Sequence, residues 1–282
     1  MNRRARYLIA SVAVCLLGAC GSRPSISPAA SLAQSSTLRG AQAFARGDLT
    51  GAEREYTTAL RIHESLGDTP ERAATLLSLA RIAGQAGRTA EALAAVNQVL
   101  ADQSQLGAPI VITAHGRAAS LYLAQGDAQR AEQHLVQAAN ACAGACADAG
   151  ALAVLRARLA LAQQQPVQAL KLATDALAMP GLAVTTPPGI HPQASAERAN
   201  ALRVQAQALL MLGQHDAAAV AASGALELDR PLGLAQRVLL DLQLLARAYQ
   251  AAGATVLAQQ YQSLADRAQT ASQALRGESQ AD

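Results

Sequence analysis

Three short stretches decide how this chain folds: Gly47-Asp48-Leu49-Thr50-Gly51-Ala52, Gly87-Arg88-Thr89-Ala90-Glu91-Ala92 and Gly126-Asp127-Ala128-Gln129-Arg130-Ala131. In each, a glycine precedes an alanine by five residues, with a turn-forming or charged residue directly after the glycine. The spacing recurs at Gly213 to Ala218 and Gly253 to Ala258, and in a weaker copy where Gln164 stands in for the glycine ahead of Ala169. The six alanines 52, 92, 131, 169, 218 and 258 are 40, 39, 38, 49 and 40 residues apart. A fixed period of this length is the mark of a repeat architecture, in which one supersecondary unit buries its apolar face against the next.

Working outward from each alanine extends the pattern. Twelve residues before stand Gly40, Ala80, Ala119, Ala157, Ala206 and Ala246; seven after stand Ala59, Val99, Ala138, Ala176, Ala225 and Ala265. Small residues at these offsets let two antiparallel helices approach closely, and the glycine supplies the tight turn between them. A larger residue usually sits four past the key alanine, as Tyr56, Val96 and Leu135 do, whereas Ala173, Ala222 and Gln262 depart from this. The pattern resembles the tetratricopeptide repeat, a helix-turn-helix unit. The resemblance implies an all-α, right-handed α-solenoid of about six such repeats. The family unit is usually shorter than the spacing found here, which predicts longer helices or longer turns between repeats. Leu66-Gly67-Asp68-Thr69-Pro70 and Leu106-Gly107-Ala108-Pro109 read as punctuation and helix starts.

Composition agrees with an all-helical reading. The 282 residues are 51% hydrophobic but only 2% aromatic, with no Trp and one Phe; roughly a quarter are Ala, the residue helices accommodate most easily. At 15% charged the chain is too apolar for disorder. Repeats one to four are expected over residues 35–179, a Pro/Gly-rich loop over 180–194, repeats five and six over 195–275, and a frayed polar tail over 276–282.

The N-terminus reads as an address. Arg3, Arg4 and Arg6 precede an apolar run from Tyr7 to Leu17, too short to span a bilayer, which closes on Leu17-Gly18-Ala19-Cys20. That ending resembles the lipobox of bacterial lipoproteins, which implies removal of residues 1–19 and acylation of Cys20. Gly21 rather than Asp follows, and in that family this implies an outer-membrane location facing the periplasm. Several acyl chains anchor a protein firmly where one is marginal. Residues 20–34 read as a Ser/Pro/Ala tether, reaching roughly 50 Å at about 3.5 Å per residue. Processing removes three arginines and no acid, leaving 20 basic against 20 acidic residues. A formally neutral body gives no support to nucleic-acid binding, which needs a basic face.

Catalytic and metal signatures do not emerge. No G-x-S-x-G, H-E-x-x-H, P-loop or G-x-G-x-x-G occurs, so neither enzyme activity, cofactor, metal nor small-molecule substrate is expected. His63, His115, His134, His191 and His215 are scattered and read as solvated surface residues. Glu53, Glu55, Glu91 and Glu132 recur at the starts of second helices, where the helix dipole favours negative charge. Cys142 and Cys146 follow the second helix of repeat three, with Gly144 between them; in an oxidising compartment the pair reads as a structural disulfide. Free redox thiols, or a metal site with His134, are the alternatives.

The remaining candidate is surface. In the resembled family the inner groove is lined by first helices, one position after the small residue and a turn to either side. Carried onto this chain, those offsets give Ala41, Arg81, Ser120, Arg158, Gln207 and Arg247, with Arg203, Gln243 and Gln250 close by. Guanidinium groups bind carboxylates bidentately and glutamines pair with extended backbone, so an acidic or C-terminal peptide segment suits the groove. The Lys/Asn clamp of the family's chaperone-tail binders is absent. The expected role is a membrane-anchored periplasmic scaffold that binds other envelope proteins and helps assemble or regulate a pilus, secretion or outer-membrane machine. A peptidoglycan- or glycan-binding lipoprotein, or a regulator of a peptidoglycan enzyme, is the alternative.

Overall fold

The computed structural model describes residues 27–143, 146–182 and 192–278. The expected signal segment, Cys20 and residues 21–26 of the expected tether fall outside the described residues. Among the described residues twelve α-helices form six antiparallel pairs: α1 (Pro28–Ala45) with α2 (Leu49–Leu66), α3 (Thr69–Gln85) with α4 (Thr89–Ala101), α5 (Ala108–Ala124) with α6 (Ala128–Cys142), α7 (Ala149–Ala162) with α8 (Pro166–Ala178), α9 (Pro192–Met211) with α10 (His215–Asp229), and α11 (Ala235–Ala251) with α12 (Thr255–Glu278). The described chain is an all-helical α-solenoid of tetratricopeptide-like repeats.

One backbone turn, made six times, closes the pairs. Gly47, Gly87, Gly126, Gly213 and Gly253 take φ between 73° and 81°, and Gln164 takes 59° in the same place. In every copy the N–H of this residue donates to the carbonyl three back, and the following N–H donates to the carbonyl five back: Gly47 to Phe44 and Asp48 to Ala43 in the first pair, Gln164 to Leu161 and Gln165 to Ala160 in the fourth. These bonds satisfy the last carbonyls of the first helix. Asp48 and Asp127 then cap the second helix, their carboxylates accepting from Gly51 N at 2.8 Å and Arg130 N at 2.9 Å.

Burial follows the repeat. All eighteen small positions are buried, from Gly40 to Ala265, and most of them, including Ala52, Ala92 and Ala131, are 0% exposed. Tyr56, Val96 and Leu135 fill the interior where larger residues were expected. At Gly40 even a methyl does not fit freely: a Cβ there would lie 2.9 Å from the Tyr56 ring. Gln262 is exposed; it lies on the terminal helix α12, where among the described residues no further repeat covers the outer face.

Three boundaries differ from the sequence reading. The first helix begins at Pro28 rather than at residue 35, because Ser27 accepts from Ala30 N at 3.1 Å, Pro28 fits the first turn, and Ala33 and Ser36 are already buried. At the Pro-rich break the chain leaves α8 at Ala178 and turns through Leu182, which is 3% exposed and packs beside Gly150; helix resumes at Pro192, ahead of the expected 195. The last helix runs on to Glu278 instead of fraying at 276.

Each second helix packs on the first helix of the next pair, and first helices also meet one another across α3–α5, α5–α7, α7–α9 and α9–α11. First helices therefore form the inner layer of the stack, the layer that carries the predicted groove. The acidic residues at second-helix starts tie neighbours together: Glu53 takes Arg88 of the next repeat at 2.6 Å, and Glu55 takes Arg39 at 2.8 Å.

Candidate protein-binding groove

The inner layer does not present the predicted residues equally. Arg81 on α3 lies over the Phe44 ring, its guanidinium carbon 3.9 Å from the ring centre. Its Nε is buried without a hydrogen-bond partner among the described residues. Desolvation lowers its pKa, with the Tyr56 hydroxyl opposing that shift. Arg158 on α7 donates to Ser120 Oγ on α5 at 3.2 Å. Burial lowers its pKa also; Glu197 acts to raise it, and Arg203 and Arg237 repel it.

Between these two stands Arg117 on α5, a residue the sequence offsets missed. It lies three rather than four positions before Ser120, and a helical turn of 3.6 residues brings either spacing onto the same face. Its Nε is buried and unpartnered among the described residues. Desolvation, aided by repulsion from Arg81, pushes its pKa down to about 10, with Glu197 the opposing charge. Three successive first helices thus hold three guanidinium groups, and Glu197 is the carboxylate that acts on two of them, Arg117 and Arg158. A guanidinium taken out of water without a carboxylate is costly, and an incoming anion relieves that cost.

Arg203 corrects the sequence reading. Its side chain is only 11% exposed and is committed within the protein: Nε donates to Asp241 Oδ1 at 2.7 Å, Nη1 to Asn200 Oδ1 at 2.8 Å, and Nη2 to Asp229. Both carboxylates are fully buried. The triad joins α9, α10 and α11, so Arg203 holds repeats five and six together and is withdrawn from any ligand. Nearby Arg237 donates to the Ala196 carbonyl at 3.2 Å.

Past the triad the inner face turns apolar. Leu161 on α7, Leu210 and Met211 on α9 and Leu244 on α11 line a pocket of about 260 Å³, with Gln207 and Arg247 at its edge. Arg247 and Gln250 are exposed and Gln243 is half-buried, while Ala41, at the far end, is exposed. Of the predicted set, then, Arg81 and Arg158 stand with Arg117 on the consecutive first helices α3, α5 and α7, Gln207 and Arg247 line the pocket together with Leu161, three residues past Arg158 on α7, and Gln243 and Gln250 lie on α11.

Two further expectations change. His63 and His115 are buried rather than solvated, 6% and 7% exposed. The Nδ1 atoms of His115 and His134 are 2.9 Å apart, and Tyr122 stacks on His134 with ring centres 5.4 Å apart. Desolvation lowers both imidazole pKa values, and for His115 the repulsion from His134 adds to it. His191 lies outside the described residues. Among the described residues no group of three or more His, Cys, Asp and Glu is placed to hold a metal ion. Cys142 and Cys146 are joined by a disulfide with Cα atoms 5.3 Å apart. No described helix is long and apolar enough to cross a membrane.

Comparison with known proteins points to the same architecture. Residues 31–105 match the tetratricopeptide repeat family model. Nearly identical TPR-like repeats of a Podosopora anserina protein described as a putative kinesin light chain, in a singly substituted form, are similar in structure: 25% identical, TM-score 0.50, covering 72% of this chain and 96% of that one. A tetratricopeptide repeat protein from Parabacteroides merdae covers 85% of this chain and 93% of its own, at 18% identity and a TM-score of 0.47. No curated protein matches the sequence.

Proposed function

We propose that this chain is a lipid-anchored scaffold of a bacterial outer membrane, facing the periplasm, whose inner groove binds other proteins and helps assemble or regulate a cell-envelope complex. The observation that carries the binding role is the row Arg81, Arg117 and Arg158. Three partly buried cations on consecutive first helices cost stability in the free protein and are suited to a negatively charged polypeptide. The address rests on the lipobox ending at Cys20.

The glycan alternative meets a specific obstacle, because sugar rings favour open aromatic faces. Phe44 is covered by Arg81, Tyr56 and Tyr122 are buried, and Tyr249 stacks on Tyr261 with ring centres 5.4 Å apart. Protein is the better-supported occupant.

Crosslinking and affinity capture from intact cells tests the proposal. Wild type should retain envelope proteins that the Arg81, Arg117 and Arg158 to Glu triple variant loses while keeping its helical signal; an unchanged partner set rejects the groove. Cys20→Ser should abolish acyl labelling and membrane fractionation, and an anchored Cys20→Ser protein rejects the address.

A further inference from the structure

We propose that the outer face of α1, with Leu32, Leu38 and the Arg46 that ends the helix, rests on a negatively charged phospholipid surface, so that repeat one is the membrane-facing end of the stack. This inference rests on the lipid-anchor reading above and adds to it a direct contact between the folded body and the bilayer.

Charge along the chain is divided at the first turn. All 20 acidic residues stand at Asp48 or beyond, together with 17 of the 23 basic ones; the other six are Arg3, Arg4, Arg6, Arg23, Arg39 and Arg46. Without residues 1–19, the segment up to Gly47 therefore carries three arginines and no acid, and everything after it holds three more acids than bases. An anionic surface attracts the first part and repels the second. Within repeat one the carboxylates are engaged: Glu53 takes Arg88 at 2.6 Å, Glu64 approaches Arg72 at 3.6 Å, and Asp48 and Asp68 cap α2 and α3. Glu55 holds Arg39 at 2.8 Å, so exposed Arg46 and the Arg23 of the tether carry the attraction.

The fold presents this segment as a helix packed on one side and open on the other. Ala33, Ser36, Gly40 and Ala43 are buried, Gly40 directly against Tyr56 of α2. At 3.6 residues per turn, Ser35, Leu38 and Gln42 fall on the opposite side, with Leu32, Arg39 and Arg46 along one flank. All six are exposed, Leu32 by 52% and Leu38 by 60%. Because α2 runs antiparallel, its last residue, Leu66, 46% exposed, lies toward the end where α1 begins. The packed stripe of α1 is used inside the pair, so the contact is shallow: leucines among lipid headgroups, with the helix lying on the surface. At the other end of the stack α12 presents exposed Gln259, Gln260, Gln262 and Asp266 instead.

Chain length brings the two surfaces together. Since α1 starts at Pro28, residues 21–27 are all that connects Cys20 to it, a reach of about 25 Å at about 3.5 Å per residue, half of what a tether ending at residue 34 allows. A pair of packed helices is itself roughly 20 Å across. Acyl chains on Cys20 therefore hold α1 beside the bilayer.

The chain has no tryptophan, so single substitutions make clean reporters. Ser35→Trp stands between the two leucines, and Val256→Trp replaces a residue 77% exposed at the start of α12. Each protein, as purified from membranes, is reconstituted into vesicles of phosphatidylglycerol and phosphatidylethanolamine with brominated acyl chains. Fluorescence and flotation are read at about 50 mM and about 500 mM salt, where charges are screened over about 14 Å and about 4 Å. At low salt the Ser35→Trp indole should be quenched and its emission shifted to the blue, while Val256→Trp shows neither. Quenching should weaken at high salt and in brominated phosphatidylcholine. Adding Arg46→Gln or Leu38→Ser should each lower the ratio of lipid-apposed to detached protein about fivefold. Flotation at high salt reads the anchor separately. Protein that floats there while Ser35→Trp is quenched no more than Val256→Trp overturns the face and keeps the anchor. Protein that floats only at low salt, with Ser35→Trp quenched, upholds the face and overturns the anchor. Flotation at neither salt overturns both.

Discussion

Arg203 Nε on α9 lies 2.7 Å from Asp241 Oδ1 on α11, and the same guanidinium holds Asp229 at the end of α10. One cation thus joins three helices of two repeats through two carboxylates that no water reaches. Breaking such a group is far more damaging than its net contribution, because the survivors are buried charges without a partner. Arg203→Met should lower unfolding free energy by about 3–5 kcal/mol, whereas Arg247→Met on the open face should change it by less than about 0.5 kcal/mol. Urea unfolding followed by circular dichroism separates the two; similar midpoints would mean that the triad does not bear on stability.

The triad also predicts a pH dependence of unusual sign. Desolvation, with repulsion from Asp229 added, pushes the Asp241 carboxyl up to about 6 against the pull of Arg203. A carboxyl whose pKa is raised on folding contributes stability that is fully present below its unfolded value, about 3.9, and is lost as pH rises through the folded value. Between pH 7 and pH 5 the wild type should therefore gain about 1 kcal/mol relative to Asp241→Asn. Thermal melts of both proteins across that range check this, and a constant difference between them would show that Asp241 does not titrate there.

Gln164 is the one turn residue of the six without a glycine's freedom, yet it adopts φ 59°. A left-handed conformation costs a side-chain-bearing residue roughly 1 kcal/mol. Gln164→Gly should raise stability by about that amount, and Gly87→Ala should lower it similarly, both measured by equilibrium unfolding. A destabilised Gln164→Gly would show that the glutamine side chain contributes more than its backbone strain.

Gly40 faces Tyr56 where its counterparts in other repeats are alanines. Because the added methyl would meet the ring at 2.9 Å, Gly40→Ala should destabilise by about 1–3 kcal/mol. The double change with Tyr56→Val, the size found at Val96, should recover most of the loss. Failure of that rescue would place the conflict elsewhere.

Cys142 and Cys146 close a loop of only a few residues, for which chain entropy gives about 2 kcal/mol. Cys146→Ser should cost that much at most, leaving partner capture intact. A change in captured partners, or ready reduction by mild thiol in the native state, would favour a redox role over a structural one.

The sequence alone sufficed for everything that repeats: the all-helical class, the six helix pairs, the turn at each glycine, and the eighteen small positions that prove buried. These are local or periodic properties, set by backbone freedom at the turn and by how closely two adjacent helices must approach. What the sequence could not reveal is which charges are free. Arg203 and Arg158 both stand on first helices near the predicted groove, but the partners that neutralise Arg203 lie 26 and 38 residues further along the chain and on different helices. Arg117 entered the groove and the buried histidines left the surface for the same reason. Electrostatic environment depends on distances through space between elements remote in sequence, and only the assembled stack brings those elements together.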